Sequence, residues 1–272
     1  MRVVPIIATS ILVVGLAACG GGGGPSDLNL PSTPTTAPVP TTGTTASVGS
    51  AAPTSSPSGS QSAMPAVSLV AHARVARLTV YDEPDAADAV RELPNPWRPA
   101  TDDPSVRVAQ VFLVEAQQGN GWVKVLLPVE PNGSDGWVRA SDVTITSDTY
   151  AIRVDLSARN MTVFAGGKVL WEGAVAIGAP ATPTPTGRYS VRMLLKAPNA
   201  QTVFGPYAFG LSSRSNVITS FAGADGEIGI HGNDDAASLG LATTLGSIRI
   251  PDAEIIRLAA LVPLGTPVDI DP

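Results

Sequence analysis

From Gly20 to Pro65 the chain runs on Gly, Pro, Ser, Thr and Ala, with Asp27 its only charge and no aromatic side chain. Such a stretch buries too little apolar surface to offset the entropy of ordering it, so it is expected to stay disordered. Folding is thereby confined to the residues beyond Pro65. Treated as flexible coil, a segment of about 46 residues has a root-mean-square reach on the order of 35–40 Å, and its prolines extend it further. The physical expectation is a tether, residues 20–66, that holds a folded head away from a fixed N-terminus.

What fixes the N-terminus is legible in residues 1–19. Arg2 supplies one positive charge, Val3 to Leu16 an apolar run, and Ala17-Ala18 a small-residue exit, which is the layout of a secretory signal. The run falls short of the roughly 20 apolar residues of a spanning helix. The step Leu16-Ala17-Ala18-Cys19 resembles a bacterial lipobox. That resemblance implies removal of the signal, lipidation of Cys19 and attachment to the outer face of the cell membrane, each buried methylene contributing about 0.8 kcal/mol. An ordinary secreted protein with an incidental cysteine is the alternative.

Cys19 is the only cysteine, so no disulfide forms within the chain and no other thiol is available. His72 and His231 are the only histidines, which argues against a His/Cys metal cluster. A formal charge of −6 offers no basic surface for nucleic acid. No metal and no cofactor is expected.

Past residue 67 the apolar runs are short and punctuated by Gly, Asn, Asp and Pro, so the fold class expected is mainly β. Over residues 67–147 strands are expected at Leu78–Tyr81, Val106–Ala109, Val111–Val114, Trp122–Leu127 and Trp137–Val138, with turns at Gly119-Asn120-Gly121 and Asn132 to Gly136. Two Gly-Trp-Val steps, Gly121 to Val123 and Gly136 to Val138, resemble bacterial SH3-like domains and imply a small SH3-like barrel. Those tryptophans either fill the barrel or bind the cell wall, and packing is their commoner use.

Residues 150–272 form the second expected domain. Ile152 to Leu156 and Met161 to Phe164 alternate, and Gly166-Gly167 turns the chain into Lys168 to Ile177, which predicts a β-meander. Further strands are expected at Tyr189–Leu195, Tyr207–Leu211, Val217–Phe221, Ile228–Ile230 and Pro267–Ile270. One helix is expected with Pro251 in its first turn, Asp252 and Glu254 at its positive end and Ile255, Ile256, Ala259 and Ala260 facing inward.

Three motifs stand in this second domain: Thr184-Pro185-Thr186-Gly187, then His231-Gly232, then Thr244-Leu245-Gly246-Ser247-Ile248-Arg249. In this order, followed by a helix and a last strand, they resemble the L,D-transpeptidase (YkuD-type) catalytic domain over roughly Tyr150 to Ile270. The resemblance implies a YkuD-like β-sandwich with one C-terminal helix. Its activity is the cross-linking of peptidoglycan stem peptides by two acyl transfers through a cysteine thioester. His231 falls on the general base, Ser247 on the cysteine nucleophile and Leu245 on a second histidine. Gly232, Gly246, Arg249 and Tyr207 fall on the substrate groove, with the N–H groups of Gly246 and Ser247 as an oxyanion hole. Asp234 or Asp235 would orient the imidazole, unless they merely form turns.

A thiol ionises near pH 8.5, whereas a serine hydroxyl needs a well-placed base to remove its proton during attack. Two functions therefore stand side by side. One is a peptidoglycan-binding pseudoenzyme that holds stem peptides without turnover. The other is a serine-dependent L,D-transpeptidase or acyl hydrolase using Ser247 and His231.

Overall fold

The computed structural model describes residues 64–99, 105–197, 202–218 and 226–272. The signal segment, Cys19 and nearly all of the tether lie outside these residues.

The described chain is mainly β, as expected, with an N-terminal sheet region, a larger β domain and one α-helix near its end. The first region contributes β1 (Ser68–Ala73), β2 (Arg77–Val80), β3 (Arg91–Pro94), β4 (Val111–Gln118), β5 (Trp122–Leu126), β6 (Asp135–Arg139) and β7 (Val143–Asp148). Five of them form a sheet in the order β6-β5-β4-β1-β7, and β2 pairs with β3 beside it. Leu78, Val80, Phe112, Val125 and Val138 are fully shielded at the centre of this core. Trp122 is buried too: its indole N–H donates to Asp85 Oδ1 at 3.1 Å and its ring meets Tyr81 edge-on at 5.0 Å. Gly136 is required by close approach, since a Cβ there would collide with Val80 Cγ1. Both Gly-Trp-Val glycines thus serve turn or packing.

The strand expected at Val106–Ala109 is absent; Val108 makes a single bridge to Trp97. Beside it the Asn95 side chain accepts from the Gln110 N–H and donates to the carbonyls of Ala73 and Val75, holding this segment by side-chain rather than ladder bonds.

The second region comprises β8 (Tyr150–Asp155), β9 (Asn160–Ala165), β10 (Lys168–Ala174), β11 (Ile177–Gly178), β12 (Gly187–Lys196), β13 (Tyr207–Arg214), β14 (Glu227–Asn233), β15 (Ala242–Thr244), β16 (Ile248–Pro251), α1 (Asp252–Ala259) and β17 (Pro267–Asp271). Eight of these strands form one sheet in the order β10-β9-β8-β17-β12-β13-β14-β16. The meander is present, its turn made by Gly166 and Gly167 at φ of 57° and 75°. β17 enters between β8, to which it is parallel, and β12, to which it is antiparallel. β14 and β16 are parallel, so the chain leaves the sheet between them and returns through β15, which pairs with β11.

Two expectations are corrected here. Val217 and Ile218 belong to no strand, and Thr219 to Phe221 lie outside the described residues. The helix buries Ile255 and Leu258, an i,i+3 pair, while Ile256 is 50% exposed. Ile255 and Ala259 of the expected stripe pack on the core, Leu258 joins them, and Ile256 and Ala260 face outward.

Candidate active site

On β14, His231 points away from the face that carries Ile228 and Ile230 into the core, yet it is only 3% exposed, opposite Ala208 of β13 and Arg249 of β16. Its Nδ1 lies 2.9 Å from the carbonyl oxygen of Gly232. A carbonyl only accepts, so Nδ1 bears the proton and Nε2 keeps its lone pair. The ring also meets Phe204 edge-on at 5.4 Å. Burial pushes the imidazole from its ordinary 6.5 to about 4; the Gly232 hydrogen bond opposes this and the Arg249 charge adds to it.

Gly232 and its neighbours hold that carbonyl in place. A Cβ on Gly232 would collide with Asp252 Oδ1 and lie 2.8 Å from Pro206 Cδ. Asp252, the first residue of α1, has its carboxyl raised by burial and by the nearby Asp234, against a hydrogen bond from the Asn233 N–H. The orienting carboxylates considered from sequence do not take that role. Asp235 caps the short 3-10 turn Ala236–Ser238 by accepting from the Ala237 N–H, and the imidazole is oriented by the backbone.

The loop bearing Ser247 is tied from two directions. Thr244 Oγ1 donates to the Ser247 carbonyl at 2.6 Å and accepts from the Gly246 N–H at 3.1 Å. From the Thr-Pro-Thr-Pro segment, Thr182 Oγ1 donates to the Thr244 carbonyl and Thr184 Oγ1 to the Gly246 carbonyl, at 2.9 and 2.8 Å. Thr184 Oγ1 also accepts from the Gly178 N–H at 2.9 Å. Gly246 has a φ of 113°, a conformation that favours glycine. Its N–H, one of the two expected oxyanion-hole donors, donates here to Thr244 Oγ1.

His231, Ser247, Leu245, Arg249, Glu227 and Phe204 line one small open cleft of about 60 Å³. A second, polar cleft of about 180 Å³ is lined by Gly232, Asn233 and Asp234, and shares Val203 and Arg249 with the first. Arg249 thus borders both, with Nε buried and without a hydrogen-bond partner among the described residues. Leu245 is 48% exposed at the mouth of the first cleft. Tyr207 is placed elsewhere: it is half-buried against the core beneath Lys196, whose ammonium lies 5.9 Å from the ring, and it lines neither cleft. Thr184 belongs to a motif read from the sequence, whereas Thr182, Phe204 and Glu227 are not assigned to the site there. The repeated Thr-Pro is the available signal for Thr182; Phe204 and Glu227 become site residues only through the tertiary fold.

Residues 149–270 match the YkuD family, the L,D-transpeptidase catalytic domain. The YkuD protein of Bacillus licheniformis is 30% identical over 156 residues, covering 55% of this chain and 86% of that relative. Its namesake in Bacillus subtilis is 32% identical over 122 residues, covering 45% of this chain and 66% of the relative. Among solved structures, a cysteine-to-serine mutant of Enterococcus faecium L,D-transpeptidase is 26% identical and spans 44% of this chain, with a TM-score of 0.35. This chain spans about half of that enzyme, 49% of its length.

Proposed function

From the premise that this chain belongs to the YkuD L,D-transpeptidase catalytic-domain family, we propose that it is a peptidoglycan-binding pseudoenzyme. It holds stem peptides in the cleft beside His231 without completing acyl transfer. Lipidated Cys19 anchors it to the membrane, and the Gly20–Pro65 tether presents the head to the wall. Residues 67–147 act as an SH3-like module and residues 150–272 as the stem-peptide domain.

One observation carries the reading. Ser247, which stands where the family motif has its cysteine, lines the same cleft as an imidazole that burial pushes to about 4. General bases act best with a pKa near the working pH, and this one is far below it. The commitment of the Gly246 N–H to Thr244 and an apolar Leu245 in place of a second histidine weaken catalysis further. Gly232 and Arg249 remain as groove residues, with Arg249 suited to a peptide carboxylate.

The serine-dependent transpeptidase or hydrolase has one observation in its favour. The bond from Nδ1 to Gly232 leaves Nε2 unprotonated, which is the tautomer a general base needs.

Intact-mass spectrometry after incubation with a tetrapeptide stem or a carbapenem separates the two. The pseudoenzyme shows no acyl adduct, whereas Ser247→Cys acquires one. An adduct on Ser247 in the wild type establishes the serine enzyme instead. Failure of the wild type to bind any wall fragment removes the binding function as well.

A further inference from the structure

The wall of the cleft opposite His231 is built where β13 ends and β14 begins. Arg214 and Glu227 face each other across these strands, and the Ser215 N–H donates to the Gly226 carbonyl at 2.8 Å. Ser215, Gly226 and Glu227 all line the cleft. Ser215 Oγ in turn accepts from the N–H groups of Val217 and Ile218, so Ile218, another wall residue, is set by the same turn.

This corner is steadied from outside its sheet by the N-terminal β region. Asn132 forms a two-way pair with the Arg214 backbone, its Nδ2 donating to the carbonyl at 2.7 Å and its Oδ1 accepting from the N–H at 2.8 Å. The Arg214 guanidinium donates to the Pro128 carbonyl at 3.0 Å. Trp97, fixed by paired backbone bonds to Val108, lays its ring 3.6 Å from the guanidinium carbon of Arg192. The same guanidinium meets Glu227 Oε1 at 3.1 Å, with the two side chains 9% and 6% exposed. A buried arginine held between an aromatic face and a carboxylate has little freedom, because the planar fork suits both partners and leaving either strands a buried charge.

We infer that Arg192 is a positioning residue through which the N-terminal β region sets the Glu227 wall of the cleft, so that this region is a working part of the stem-peptide site. The chain of contact is Trp97 to Arg192 to Glu227, reinforced by Asn132 to Arg214. The two core clusters are separate, and these contacts are what join the N-terminal β region to the cleft wall. A ligand or mutation that shifts Trp97 is therefore felt at the wall. What the cleft binds rests on the proposed function; the coupling itself is independent of it.

Hydrogen–deuterium exchange on the full chain reads the coupling without any ligand. Wild type, Trp97→Ala and Trp97→Phe are compared over residues 211–218 and 226–231, with residues 150–165 of the meander as the control. Trp97→Ala is expected to speed exchange at the wall about tenfold while the meander is unchanged, and Trp97→Phe, which retains a ring for the cation, to stay near wild type. Arg192→Lys keeps the charge and loses the planar stack, and gives the same local increase should Trp97→Ala fail to fold. Unchanged wall exchange in the folded variants, or an equal rise in wall and meander, overturns the inference. Stem-peptide affinity is measured in parallel: wild type that binds nothing defeats the proposed function, whereas the exchange data alone decide the coupling.

Discussion

His231 Nδ1 donates to the carbonyl of Gly232, the next residue along the same strand, at 2.9 Å. A side chain bonded to its own neighbour's backbone cannot be oriented independently of that strand, so whatever moves β14 also moves the base.

The depressed histidine gives stability a defined pH dependence. Unfolded, the imidazole titrates near 6.5; folded, at about 4, because burial penalises the cation. Between these values the unfolded chain binds a proton that the folded protein does not, so the contribution is fully present above 6.5, declines as pH falls, and levels off below about 4. The total is on the order of 3 kcal/mol. Denaturant titrations of wild type and His231→Gln across pH 4–7 are expected to diverge with that sign; parallel curves would remove the effect.

Thr184→Val keeps the shape of the side chain and deletes a hydroxyl that bridges the Gly178 N–H and the Gly246 carbonyl, both buried. Stranding these two groups is expected to cost about 1–3 kcal/mol in urea unfolding. A loss below a few tenths would mean that the clamp is not needed.

Gly246→Ala forces a side chain onto a φ of 113° and brings its Cβ to 3.0 Å from Ile228 Cδ1. Backbone strain of this kind costs on the order of 1–3 kcal/mol. Calorimetry should show a lowered Tm, and stem-peptide binding should weaken, since the same peptide carries Ser247.

Gly232→Ala drives a methyl into Asp252 Oδ1, with Pro206 Cδ and Ile255 Cγ2 at 2.8 and 3.0 Å. Overpacking there is expected to destabilise by about 1–3 kcal/mol and to shift the His231 ring resonances in NMR spectra. Gly119→Ala, with nothing within 4 Å of its Cβ, serves as the control and should lie near neutral.

The parts of the molecule that depend on short-range pattern are legible in the sequence. The Ile152–Phe164 alternation, the Gly166-Gly167 turn and the order of Thr-Pro-Thr-Gly, His-Gly and Gly-x-Ile-Arg each rest on residues close together in the chain. β1 and β7 are not, because Ser68 to Ala73 and Val143 to Asp148 alternate weakly and owe their strand form to pairing with each other, and of β1 with β4. Phe204 and Glu227 carry no motif at all. They enter the cleft because β13 and β14 bring residues 204 and 227 beside 231 and 247, a relation that no local window contains. Asp234 and Asp235 are attractive as orienting acids by proximity in sequence, but the backbone of Gly232 is nearer.

Residues 267–271 sit between β8 and β12, in the middle of the large sheet. During synthesis β8 to β10 end at Ala174, long before the joining strand begins at Pro267, while β12 to β16 are completed at Pro251, shortly before it. The meander must therefore wait with an open edge, and the sheet, with its many long-range pairings, is expected to close late and slowly, on the ms–s scale typical of such topologies. Substitutions that weaken β17 should consequently be read first as lower yield of folded protein, well before any loss in the affinity of what does fold.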